Sequence, residues 1–141
     1  MRTALDTNII SSIWSSEPTA AYFSEALAVA KQAGGLAICA VTYAELLAHP
    51  LATEPFVLST LARMGVAIDF ATYEAVWTET GVRYAQYAAR RRSSERDQPR
   101  RLVPDFFVGA HAFLQADQLI TRDIAFYQRN FPELRLYPLS L

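Results

Sequence analysis

The sequence predicts an α/β fold with a mostly parallel central sheet of four or five strands and helices on both faces. Three observations carry that reading. Short apolar runs of strand character alternate along the chain with longer segments of helical period. The run at 36–41 (Leu-Ala-Ile-Cys-Ala-Val) is apolar throughout, as a strand buried on both faces of a parallel sheet must be. Strands and helices alternate instead of clustering by type, and alternation leads to parallel pairing through helical crossovers.

The elements follow in order. Residues 3–5 form a short first strand. Residues 18–33 place Tyr22, Ala26, Val29, Ala30 and Ala33 at helical spacing, and Gly34-Gly35 ends that helix. After the strand at 36–41 comes a short helix over 42–49, stopped by Pro50. Residues 55–64 form another helix closed by Gly65, and 66–68 a third strand. Residues 72–92 form a long helix whose stripe of Tyr73, Val76, Trp77, Thr80, Tyr84, Tyr87 and Ala88 reads as core packing. The polar stretch 93–102, with Pro99, is expected to be a loop. Residues 104–116 are apolar on nearly every side, hence a buried helix. Residues 119–121 form a fourth strand, 123–130 a short helix ending before Pro132, and 134–137 a fifth strand at the sheet edge.

At 141 residues the chain is the size of one domain with one core, and 52% apolar against 19% charged residues argues against disorder. The single cysteine, Cys39, lies in the apolar strand and reads as a small core residue in a reducing compartment. Asp6 interrupts the N-terminus before any apolar signal region forms, and no stretch reaches the roughly 18 apolar residues of a membrane span, so a cytoplasmic protein is expected. The net charge of −1 conceals an asymmetry. Between Arg90 and Arg101, six arginines stand against Glu95 and Asp97, which leaves that segment +4 on an otherwise acidic chain with one lysine, Lys31.

In parallel α/β sheets, sites gather beyond the carboxyl ends of the strands. Asp6 lies just past the first strand, Asp123 just past the fourth, and Glu45 a helical turn past the second. Asp105 opens the buried helix that feeds the fourth strand. Each acid also has a structural explanation. Thr42-x-x-Glu45 fits a capping box, Asp105 follows Pro104 in a first helical turn, and Asp6 and Asp123 suit helix N-caps. Taken together, four carboxylates converging in an apolar fold would repel one another strongly unless a hard divalent cation compensated them. His49, His111 and Cys39 are isolated, so a zinc site is not expected, and His111 reads as structural. An oxygen-ligated metal with open positions suits phosphodiester hydrolysis.

The segments Leu5-Asp6-Thr7-Asn8-Ile9, Thr42-Tyr43-Ala44-Glu45-Leu46, Val103-Pro104-Asp105-Phe106-Phe107-Val108-Gly109-Ala110-His111-Ala112 and Leu119-Ile120-Thr121-Arg122-Asp123 resemble, in order and spacing, those of PIN-domain ribonucleases. More narrowly they resemble the VapC-type toxins of type II toxin–antitoxin pairs. That resemblance spans nearly the whole chain, so it implies a single PIN-like α/β/α sandwich over residues 1–141. It implies magnesium or manganese dependence and endonucleolytic cleavage of RNA. Asp6 and Asp105 would be the principal metal ligands, Glu45 and Asp123 would complete the acidic pocket, and Thr7, Asn8 and Thr121 would support it. It also implies a cognate small antitoxin protein as partner and a homodimer, with no membrane. The sequence departs from the family's usual pattern in the paired aromatics of Asp-Phe-Phe-Val-Gly and in the arginine-rich segment before them.

The arginines have two readings: a solvated segment paired with acids, or an arm in which Arg91, Arg92, Arg100 and Arg101 draw the RNA backbone toward an acidic site. Other metal-dependent α/β classes fit less well. A haloacid-type phosphotransferase needs an acid two residues past its nucleophile, where this chain has Asn8; a receiver domain needs a lysine near the last strands; a Rossmann site needs a glycine-rich first turn. The alternative of another class is a catalytically silent PIN-like module that binds RNA or protein, although all four acids are retained.

Overall fold

A computed structural model describes residues 1–93 and 100–140 of the chain. Four strands, β1 (Thr3–Leu5), β2 (Leu36–Cys39), β3 (Val66–Asp69) and β4 (Gln118–Ile120), form one sheet in the order β3-β2-β1-β4. Every pairing is parallel, with Ala4 opposite Ala37 on one side and Leu119 on the other. The helices are α1 (Thr7–Trp14), α2 (Ala20–Ala33), α3 (Ala40–Leu46), α4 (Glu54–Met64), α5 (Glu74–Ser93), α6 (Val103–Gln115) and α7 (Ile124–Asn130).

Strand side chains alternate between the two faces of a sheet, and the core divides accordingly. On one face Leu5, Leu36, Ile38 and Ile120 pack with Ile9 and Ile10 of α1, Phe23 and Leu27 of α2, Leu46 of α3, and Val57 and Leu61 of α4. On the other, Ala4, Cys39 and Leu119 pack with Val76 of α5, Phe106 to Val108 of α6, and Phe126 and Tyr127 of α7. The result is three layers, helix, sheet, helix, with β1 in the middle and its end shielded on both sides.

Three expectations are corrected. The segment 134–137 does not form a fifth strand; it makes one parallel bridge, Leu136 to Leu119, supported by Leu119 N–H donating to the Arg135 carbonyl at 3.0 Å and Tyr137 N–H donating to the Leu119 carbonyl at 2.9 Å. Pro132 and Pro138 bracket it. The second strand stops at Cys39, whose extended backbone is the N-cap of α3. The stripe on α5 is a core face only in part: Val76 and Thr80 are buried and Tyr84 and Tyr87 pack half-buried against the core, while Tyr73 and Trp77 are 58% and 51% exposed. Helix α6, buried continuously from Phe106 to Ala112, takes the place against the sheet, and α5 packs chiefly on α6. Of the expected loop 93–102, Ser93 is the last residue of α5, residues 100–102 are irregular, and 94–99, including Arg96, lie outside the described residues.

The paired aromatics of Asp-Phe-Phe-Val-Gly have a packing explanation. Phe106 sits among Tyr84, Tyr87, Phe126 and Phe131, with ring centroids 5.1–6.4 Å away, and Phe107 meets Trp77 at 4.6 Å. Gly109 lets α6 approach this cluster, since a Cβ there would stand 2.4 Å from Phe131 Cε2.

Candidate active site

The carboxyl ends of β1 and β4 lie side by side, and Asp6 N–H continues their pairing by donating to the Ile120 carbonyl at 3.0 Å. Asp6 is the N-cap of α1. Its Oδ1 accepts from Thr7 N–H at 2.8 Å, and its Oδ2 accepts from Thr121 Oγ1 at 2.7 Å and from Asn8 Nδ2 at 3.3 Å. The polar triad Thr7, Asn8 and Thr121 is thereby tied to one carboxylate. Thr7 Oγ1 in turn donates to Glu45 Oε1 at 2.8 Å, and Asn8 Oδ1 accepts from Arg122 N–H at 3.2 Å.

This bond to Thr7 corrects the capping-box reading of Glu45. Helix α3 starts two residues earlier than expected and has no side-chain cap, Thr42 is buried, and Glu45 points across to α1. The cap reading does hold for Asp105, whose Oδ2 accepts from Leu102 N–H at 3.4 Å at the start of α6. Asp123 occupies the N-cap position of α7 without capping it. Its carboxylate instead takes both ends of the Arg101 guanidinium, at 2.5 and 3.3 Å, while its N–H donates to Thr121 Oγ1 at 2.9 Å. Arg101 also lies over the Phe126 ring, 4.7 Å from its centroid.

The acids sense one another. Burial pushes the Asp6 carboxyl up to about 6; the bonds from Thr121 and Thr7 pull it down, and the charges of Glu45 and Asp105 push it further up. Glu45 is raised by burial and by Asp105, against the bond from Thr7. Asp105 is raised by burial and by Asp123, against the Leu102 N–H and the Arg101 charge. Tyr127, which sequence reasoning missed, belongs to the same environment. Its hydroxyl is buried 3.4 Å from the Asp105 carbonyl, and burial together with Asp6, Asp105 and Asp123 holds it well above the usual phenol range. The available signal was its spacing: Tyr127 follows Asp123 by four residues, one turn of α7.

His111 is 2% exposed, with Nε2 3.0 Å from Asp69 Oδ2 at the carboxyl end of β3, on the outer strand of the sheet. Arg91, Arg92 and Arg100 gather at the α5 end of the fold, beside Tyr84 and Tyr87, and Arg101 faces Asp123, an acid of the site.

Among the described residues, no three His, Cys, Asp or Glu side chains stand close enough to cage a metal ion. The donor set nevertheless suits a hard cation. It consists of carboxylate oxygens whose proton affinities are raised first by burial and then by one another's charge, and magnesium is ordinarily held by one or two carboxylates with water in its other positions.

The sequence matches the PIN domain family over residues 3–132, and the chain belongs to that family. Among curated protein sequences none matches significantly. Solved structures with the same fold include VapBC2 from Rickettsia felis bound to a DNA fragment from their promoter. That match has a TM-score of 0.71 and 18% identity, and covers 97% of this chain and 98% of that one. VapBC-1 from nontypeable Haemophilus influenzae matches with a TM-score of 0.68 and 23% identity, covering 97% of each chain. No helix among the described residues is long and apolar enough to cross a membrane.

Proposed function

We propose that the chain is a divalent-metal-dependent endoribonuclease that hydrolyses RNA phosphodiester bonds, folded as one PIN-like domain over residues 1–141, with magnesium or manganese as cofactor. The observation that carries the reading is Asp6: a carboxylate fixed by three donors at the end of the central strand, with Glu45, Asp105 and Asp123 in the same electrostatic field. Asp6 and Asp105 would hold the ion, with Glu45 and Asp123 completing the pocket directly or through water. When bound, the ion supplies Lewis-acid activation of water and of the phosphodiester. Thr7, Asn8 and Thr121 keep Asp6 in one rotamer. Glu45, held above the ordinary carboxylate range, is suited to take a proton from an attacking water nearer neutral pH. Tyr127 seals the floor against bulk water.

We further propose that the protein is the toxin of a toxin–antitoxin pair, a cytoplasmic homodimer neutralised by a small antitoxin. The support is the resemblance of its motifs to VapC-type toxins together with the VapBC proteins among its structural relatives. A second reading, a silent PIN-like module that binds RNA or protein, draws on the Arg101–Asp123 ion pair, which already compensates one of the four acids.

Incubation of the purified protein with total cellular RNA, in magnesium, manganese or chelator, separates the two. Cleavage is expected with either ion and not with chelator, and Asp6→Asn or Asp105→Asn should lower it by 100-fold or more. Cleavage that persists in chelator and in both variants overturns the mechanism; no cleavage under any condition leaves the silent module.

A further inference from the structure

Next to the acidic edge lies a pocket of about 430 Å³ lined by Tyr84, Tyr87, Ala88, Arg91, Arg92 and Arg100. We propose that this pocket is a nucleotide subsite, in which one base of a single-stranded RNA packs against the tyrosine rings while its phosphates lie on Arg92 and Arg100. The proposal rests on the ribonuclease reading for the identity of its ligand.

The volume falls within the roughly 300–1,000 Å³ of small-ligand sites. The two rings are held in place before anything binds: their centroids are 6.2 Å apart at 31°, and both rest on the buried Phe106, at 5.3 Å each. A stacking surface that is already ordered loses little entropy on binding. The charge is placed in a similar way. Arg90 is tied to Asn130 Oδ1 and Arg101 to Asp123, so those two serve the fold and the acidic edge. Arg92 and Arg100 are exposed, and among the described residues neither guanidinium has an ion-pair or hydrogen-bond partner. Arginines 90 to 92 also complement the carboxyl end of the α5 dipole, but that accounts for neither Arg100 nor the paired tyrosines.

Tyr87 joins the pocket to the acids. Its ring lines the pocket, its hydroxyl accepts from Arg101 N–H at 2.8 Å, and the Arg101 guanidinium holds Asp123. A strand whose scissile phosphate sits at the acids would therefore have a neighbouring nucleotide beside the tyrosines. Stacking tolerates any base, so this subsite selects unpaired RNA over duplex instead of reading one base.

The test uses the full chain in chelator, so that no cleavage occurs, with a single-stranded hexaribonucleotide carrying 2-aminopurine at its centre. The wild type is expected to bind and quench the probe. Tyr84→Phe keeps the ring and the quench; Tyr84→Leu loses the quench and binds about tenfold more weakly or worse. Arg92→Gln with Arg100→Gln, both on the surface and safe for folding, should reduce the slope of log affinity against log salt by about 1.4. Wild-type affinity, quench and salt slope in both Tyr84→Leu and the arginine pair overturn the subsite, and so does a wild type that never quenches. Cleavage of total RNA in magnesium is measured in parallel. A wild type that cleaves without quenching overturns the subsite alone, whereas one that quenches without cleaving overturns the nuclease reading and leaves the subsite standing.

Discussion

Asp6 has two roles that pull against each other. As the N-cap of α1 it accepts the Thr7 N–H, which favours the ionised carboxylate. As a largely buried acid beside Glu45 and Asp105 it is pushed from an ordinary 3.8 up to about 6. Between those values the folded, metal-free protein binds more protons at this group than the unfolded chain does. Stability from this group is therefore present at about pH 4 and lost as the pH rises through 6, by at most about 3 kcal/mol. In chelator, the stability of Asp6→Asn relative to wild type should rise by up to that amount between pH 4 and pH 7, read from urea unfolding. A difference that is flat with pH would show that Asp6 ionises normally. Glu45 and Asp123 make a related point. Both occupy positions where a cap is the simplest local explanation, yet each gives its carboxylate to a residue far away in sequence, Thr7 or Arg101.

At the scale of elements, α6 organises the site. It is buried continuously from Phe106 to Ala112, directly after Asp105, so it holds that acid at the sheet edge with little freedom, and its aromatic pair locks α5 and α7 to it. Its packing depends on Gly109, where an added Cβ would meet the Phe131 ring at 2.4 Å. Phe131 is itself fully buried and cannot swing aside. Gly109→Ala should cost about 1–3 kcal/mol in chemical denaturation, the usual penalty for overpacking a core. It should also lower nuclease activity by displacing Asp105. Unchanged stability would mean that α6 has slack which the ring cluster does not suggest. The stripe on α5, inward at Val76, Thr80, Tyr84 and Tyr87 but exposed at Tyr73 and Trp77, illustrates what period alone leaves open: helical spacing identifies an amphipathic side but not whether sheet, helix or solvent meets it. Here α6 had already filled the place against the sheet.

For the molecule as a whole, repulsion among the acids should make metal binding visible as folding stability. An ion that binds only the folded state stabilises it by RT ln(1 + [ion]/Kd), about 2.7 kcal/mol at a hundredfold excess over Kd. The melting temperature should rise with magnesium or manganese, and the rise should disappear in Asp6→Asn and Asp105→Asn. An equal rise in both variants would place the ion elsewhere. The alternation of strands and helices, the helices on both faces of a parallel sheet and the acids beyond the strand ends were legible in the sequence, because burial on two faces and helical period are properties of contiguous residues; the order of the strands, with β1 inside the sheet, was not. The motif spacing was legible for the same reason, and the family match over residues 3–132 agrees with it. Contacts between distant segments were not legible. Arg101 closing on Asp123, Thr7 reaching Glu45, Tyr127 beneath the acids, and the tyrosine pocket built where α5 meets Phe106 all depend on how the layers dock. The sequence by itself determined which acids could meet; only the tertiary structure decided how each is held and at what proton affinity, because burial and through-space charge are set by neighbours that are far apart in the chain.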